Sequence, residues 1–198
     1  MVEPLSLWCA LASRCLAQTT NVQHVSDVVR IGGVTRVQRT FAFVDVSGFT
    51  EFTDREGDAA AVALLETIRG SIRHLASVHG VRIAKWLGDG AMLVGVESEP
   101  VIEAVVDMID ANRDMTATPL RAGVASGRVI LFEGDDHIGQ AINLASRLSD
   151  LAGHHEILAP KSMMTSFLVN TRSVSAGERH VPGIAAPLEL VRLESATS

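Results

Sequence analysis

Between residues 41 and 151 the apolar residues change their spacing in a fixed order, and that order restricts the fold more than composition does. Phe41 to Val46 reads as a strand. Asp58 to His79 then carries Ala61, Leu64, Leu65, Ile68, Ile72 and Leu75 at helical spacing and stops at Gly80, a residue suited to the backbone turn that ends helices. Val81 to Lys85 and Ala91 to Val96 read as two strands joined through Gly88-Asp89-Gly90, a tight-hairpin signal. Val101 to Arg113 is a second helix with Val101, Ala104, Val105, Met108 and Ile109 on one face. Leu120 to Ala125 and Val129 to Phe132 read as strands around Ser126-Gly127, and Gly139 to Leu151 as a third helix. The order is βαββαββα. Its first six elements predict an α+β fold built on a ferredoxin-like or palm-type βαββαβ sheet, with its helices on one face. Glu156 to Leu193 extends this C-terminally as a strand, a short helix from Pro160 and two strands broken by Pro182-Gly183, an α/β extension.

The 198 residues suit one domain. Residues 1–36 read as a short N-terminal helix and linker, and residues 37–198 as the domain proper. The apolar patch from Leu5 to Ala12 has Glu3 where a signal peptide would be basic and is cut short by Arg14, so an amphipathic helix is expected there. Thr19-Thr20-Asn21 and Ile31-Gly32-Gly33 mark the linker, with one short helix at His24 to Arg30. No apolar run approaches the ~18 residues that span a bilayer, so no membrane insertion is expected. A net charge of -6 without a basic stripe argues against a nucleic-acid partner. Cys9 and Cys15 fit no zinc or redox spacing and point to a reducing, cytoplasmic location.

Two carboxylates stand where carboxylates are costly. Asp45 interrupts Phe41-Ala42-Phe43-Val44, and Asp89 lies between strand-like runs. An ionised carboxylate removed from water costs several kcal/mol or more unless a cation compensates it. In a ferredoxin-like sheet the first strand lies beside the hairpin strands, so these two acids could hold divalent cations between them for phosphoryl or nucleotidyl transfer. Taken alone, Asp89 is equally a turn former. Asn143 and Arg147, four apart, share one face of the third helix, which alone reads as a solvated face. His154 and His155 read as solvated residues after that helix, Trp86 as core, and Ser126 has no His partner to make it a nucleophile.

Taken together, these residues resemble the catalytic domain of class III nucleotidyl cyclases, the adenylate and guanylate cyclases, from about Val37 to Leu193. Phe43-Val44-Asp45-Val46-Ser47-Gly48-Phe49-Thr50 is similar to the family's first metal motif. Lys85 with Gly88-Asp89 is similar to its substrate lysine and second metal aspartate, and Leu120-Arg121-Ala122-Gly123-Val124 and Asp136 through Arg147 match later motifs. The resemblance implies that Asp45, Asp89 and the carbonyl of Val46 bind two Mg²⁺ or Mn²⁺ ions. It implies that Arg147 stabilises charge at the α-phosphoryl group, that Asn143 orients the ribose and that Arg121 lies near the phosphates. Lys85 as donor and Asp136 as acceptor complement adenine, which offers an acceptor at N1 beside a donor at N6. Guanine reverses that pattern. The chain thus looks like an adenylate cyclase acting on ATP. The family builds its sites across a dimer interface, the metal aspartates from one subunit and the other groups from its partner, which implies a homodimer here.

Two departures stand beside this match. The segment from Gly127 to Asp136 is short, as in a bacterial subgroup with short dimerisation arms. Pro182 occupies the place where many members carry a phosphate-contacting lysine, with Arg179 and His180 as possible substitutes. A non-catalytic cyclase-like regulatory module is the alternative that Pro182 supports, and another two-metal nucleotidyl transferase is a third.

Overall fold

The structure, a computed structural model, describes residues 28–31, 34–132 and 136–196. Among the described residues nine strands form one sheet: β1 (Val28–Ile31), β2 (Val34–Val46), β3 (Arg82–Leu87), β4 (Gly90–Gly95), β5 (Leu120–Phe132), β6 (Asp136–Ile138), β7 (Ile157–Pro160), β8 (Thr171–Arg179) and β9 (Leu188–Ser195). Among the described residues four α-helices accompany them: α1 (Phe49–Glu56), α2 (Asp58–Val78), α3 (Ser98–Met115) and α4 (Gln140–Leu151). A short 3₁₀ turn follows β7 at Lys161–Met163. The sheet runs β3-β4-β2-β5-β7-β9-β8, with β1 on β2 and β6 on β5. Among the described strands only β5 and β7 pair in parallel. The first long strand therefore lies between the β3–β4 hairpin and β5, the ferredoxin-like arrangement that the sequence predicts.

Strand alternation assigns the two faces. Ala42, Val44 and Val46 point into the larger core beneath α2 and α3, where Ile68, Ile72, Val101, Val105 and Ile109 meet Leu93, Leu120 and Val124. Phe41 points the other way and packs with Val94, Ala125 and Val129 against Ala141 and Ala145 of α4. Each fully buried Leu, Ile, Val or Phe here supplies about 1.5–3 kcal/mol relative to exposure. Helices α2 and α3 thus cover one face, as expected of the βαββαβ portion, and α4 covers the opposite one. Among the described residues no helix is long and apolar enough to cross a membrane.

Several local readings change. The short helix predicted at His24 to Arg30 is replaced, where described, by β1, whose Val28 to Ile31 register antiparallel on Val37 to Val34. Three β-branched residues in four favour the extended form there. Residues 24–27, and the amphipathic helix expected over 1–17, lie outside the described residues. The two strands expected around Ser126-Gly127 are one strand, because Ser126 is absorbed into the ladder. Its hydroxyl meets Gln38 Nε2 and Thr40 Oγ1, both at 3.0 Å, and Thr40 is fully buried. Helix α1 is an addition; it has no buried residue and hence no apolar period to reveal it.

Gly123 decides how closely α4 lies on the sheet. A Cβ at this position would stand 2.2 Å from both the carbonyl oxygen of Ala145 and the amide nitrogen of Ser149. Backbone on backbone cannot yield as a flexible side chain does. Gly123→Ala is expected to cost about 3 kcal/mol, the upper end of ordinary overpacking, and to lower Tm by about 6–12 °C in a thermal melt.

Candidate active site

Asp45 is the penultimate residue of β2 and stands directly opposite Arg121 of β5. Alternation turns both toward the α4 face. The guanidinium donates from Nε at 3.0 Å and from Nη2 at 2.7 Å to the same carboxylate oxygen, Oδ2, while Nη1 reaches the carbonyl of Asp150 at 3.3 Å. Both side chains are about 30% exposed, so the pair is partly screened by solvent. Its main effect is orientation, since Arg121 takes Oδ2 and leaves Oδ1 toward the β3–β4 turn.

That turn lies tight against the end of β2. A Cβ on Gly90 would stand 2.8 Å from the carbonyl of Val44 and 3.2 Å from Asp45 Oδ1, so only glycine permits the approach. Asp89 is thereby brought beside Asp45. Burial, and then the negative charge of Asp45, push its carboxyl above the ordinary value of 3.8, against the opposing pull of Arg121. Two acids sharing one partly buried place with a single guanidinium form an excess of negative charge made of hard oxygen donors, which fits Mg²⁺ or Mn²⁺. Among the described residues no group of three or more His, Cys, Asp or Glu gathers for a metal. A cation here would complete its shell from the adjacent backbone carbonyl of Val46, water and substrate oxygens.

The structure also brings Lys85 and Asp136 together, 51 residues apart in the chain. Lys85 Nζ donates to Asp136 Oδ1 at 2.6 Å, with both side chains about half exposed. This hydrogen bond, and then the ammonium charge, hold the Asp136 carboxyl below the ordinary range. The β5–β6 hairpin is positioned by pairing Phe132 with Asp136 and by His137 meeting the Phe41 ring edge-on at 5.3 Å.

Asn143 and Arg147 share a third place. They line a cavity of about 340 Å³ with Ser146, Asp150, Pro182, Gly183 and Ile184. A smaller cavity of about 110 Å³ lies between Asp45 and α4, and Ser146 and Asp150 line both. Among the described residues no hydrogen bond or ion pair joins Asn143 or Arg147 to Asp45, Asp89, Lys85 or Asp136. Arg179 spends its Nε on the carbonyl of Ala176 at 3.2 Å. His154 and His155 border a separate cavity of about 580 Å³ between α3, β8 and β9, which shares no lining residue with either carboxylate. The direct Arg121–Asp45 pair is what the sequence reading lacks; only the β2–β5 register reveals it.

Comparisons with known proteins agree with this geometry. The family model described as the adenylate and guanylate cyclase catalytic domain matches residues 36–190. An uncharacterized protein of Mycobacterium tuberculosis is 31% identical over 147 residues, 74% of this chain and 38% of that protein. An adenylate cyclase of Streptomyces coelicolor is 30% identical over 137 residues, 69% of this chain and 35% of that enzyme. The chain therefore spans less than two fifths of the length of these relatives. The adenylyl cyclase CyaB of P. aeruginosa superposes with a TM-score of 0.69 at 23% identity, over 80% of this chain and 94% of that one, a likeness of fold.

A raised carboxyl pKa has a definite sign for stability. The folded state holds its proton more tightly than the unfolded chain, so the contribution of Asp89 is fully present below about 3.8 and is lost as pH rises through the folded value. At neutral pH ionised Asp89 is a cost. Asp89→Asn should accordingly raise the neutral-pH Tm of metal-free protein, by less than about 1 kcal/mol or about 2–4 °C, and lose that advantage in acid. Adding Mn²⁺ should reverse the order. Were the acid pair to hold the ion, wild type would gain about 2.7 kcal/mol at a hundredfold excess over Kd, whereas the variant would gain little.

Proposed function

The chain belongs to the family of adenylate and guanylate cyclase catalytic domains, and on that premise we propose that it converts ATP to 3′,5′-cyclic AMP and pyrophosphate as a cytoplasmic homodimer. The observation that carries this reading is the pairing of Lys85 with Asp136 at 2.6 Å. It presents a fixed donor beside a fixed acceptor, the pattern that adenine N1 and N6 complement and that guanine O6 and N1 oppose. Mismatching both groups in a closed pocket costs roughly a few kcal/mol, enough to select the base.

Asp45, Asp89 and the carbonyl of Val46 are the groups that would hold two Mg²⁺ or Mn²⁺ ions. Such ions supply Lewis acidity that eases loss of the ribose 3′-proton and neutralises the departing pyrophosphate. Asn143 orients the ribose so that its 3′-oxygen faces the α-phosphorus in line with the leaving group. Arg147 places a guanidinium at the α-phosphoryl oxygens and the leaving oxygen, where negative charge grows as the P–O bond breaks. Arg121 keeps Asp45 aimed, and its remaining N–H groups are available to the phosphates.

The chain carries the acid pair and the Asn143–Arg147 pair without linking them, which supports sites completed by a second copy. Pro182 in the cavity of Arg147 removes the lysine charge that many relatives bring to the phosphates, and it favours the second reading, a regulatory module without turnover.

Product chromatography after incubation with ATP or GTP and Mn²⁺ decides between these readings. Cyclic AMP from ATP alone, abolished in Asp45→Ala, is the expected result, and no cyclic product from a folded dimer would favour the module. Equal mixing of Asp45→Ala with Arg147→Ala should restore about a quarter of wild-type activity, since half of randomly formed dimers are mixed and each keeps one intact site. Lys85→Glu with Asp136→Cys should weaken ATP use, and an unchanged ATP preference would count against the base-reading pair.

A further inference from the structure

The turn that carries Asp89 has a glycine on either side of it and so has no side-chain packing of its own to hold its shape. Its restraint comes from α2. Arg69 Nη2 donates to the carbonyl of Gly88 at 2.6 Å, nineteen residues away in sequence. The same guanidinium stacks on the Trp86 ring, with Cζ 4.9 Å from the centroid. Trp86 in turn packs against the main core. Arg69 Nε is buried and has no hydrogen-bond partner. A guanidinium placed to satisfy its own donors would not leave one orphaned, so this placement serves the ring and the Gly88 carbonyl. Arg73, one helical turn further on, stacks on the same ring at 5.1 Å, yet among the described residues it makes no hydrogen bond to the turn.

From this geometry we propose that Arg69 is a positioning residue for divalent-cation binding, fixing the Gly88-Asp89-Gly90 turn so that Asp89 stays beside Asp45 before a cation arrives. The inference rests on the metal role given to Asp45 and Asp89 in the proposed function. Two carboxylates left to themselves separate, because both are negative and one is partly desolvated. A carbonyl clamp on the residue before Asp89 opposes that separation at a point that no cation touches. Supports of this kind, one layer behind the ligands, alter metal affinity by about 10- to 100-fold when removed.

The test is direct Mn²⁺ binding to the full chain without nucleotide, followed by the spin-resonance signal of free Mn²⁺. Arg69→Met keeps the stem over Trp86 and deletes the donor; its Kd should rise about 10- to 100-fold. Arg69→Lys, which can still donate, should fall between this variant and wild type, and it carries the test should Arg69→Met fail to fold. Arg73→Met removes the other stacked cation and should leave Kd unchanged. Wild-type affinity in Arg69→Met, or an equal loss in Arg73→Met, would overturn the assignment while leaving the acid pair intact. A wild-type chain that binds no Mn²⁺ would overturn the metal reading itself, and this inference with it.

Discussion

A slip of one residue between β2 and β5 would turn Asp45 into the core beneath α2 and α3, and the rest of the site depends on that slip not happening. Eleven residue pairs fix the register, from Arg36 opposite Ile130 to Val46 opposite Leu120. Ala42, Val44 and Val46 are buried on one face, so a slipped register would bury Asp45 in their place and turn them toward α4. An unpaired buried carboxylate costs several kcal/mol, and the core beneath α2 and α3 would lose three fitted apolar side chains as well. The hydrophobic pattern of β2 therefore does more than build the core. It aims one carboxylate at the opposite face, where Arg121 receives it.

That pairing is unequal by construction. Arg121 compensates Asp45 through a single oxygen, whereas Asp89 has a backbone hydrogen bond and the distant pull of the same guanidinium against burial and a neighbouring negative charge. One cation is shared by two acids. Under the proposed chemistry such a pair gains from a further positive charge, which is the balance a reversible metal site needs. Had Arg121 spanned both acids, the fold would be steadier and the site closed.

The sequence shows periodic elements well and non-local partners poorly. Residues 58–79 and 101–113 were legible because each buries one face, and Gly88-Asp89-Gly90 because a tight hairpin demands such residues. Helix α1 was not, since nothing on it is buried, and the break expected at Ser126-Gly127 vanished once Gln38 and Thr40 of the neighbouring strand satisfied the serine. At the site, the closeness of Asp45 and Asp89 could be reasoned from topology. The Arg121–Asp45 bond depends on register, and the Arg69 contact on where α2 lies against β3 and its turn. No local pattern encodes either one.

Helix α4 sits on Gly123 with no room for a side chain, so the backbone that carries Asn143 and Arg147 is fixed relative to the sheet. Rigidity on both sides has a consequence for assembly. The helix that carries Asn143 and Arg147 cannot shift toward the carboxylate pair without lifting off Gly123, and no polar contact joins the two groups within the described chain. Under the proposed chemistry a guanidinium must arrive at the α-phosphoryl group from outside the acid-bearing half. In the proposed homodimer a second copy would supply it by symmetry, so that catalytic competence would follow association rather than any internal closure.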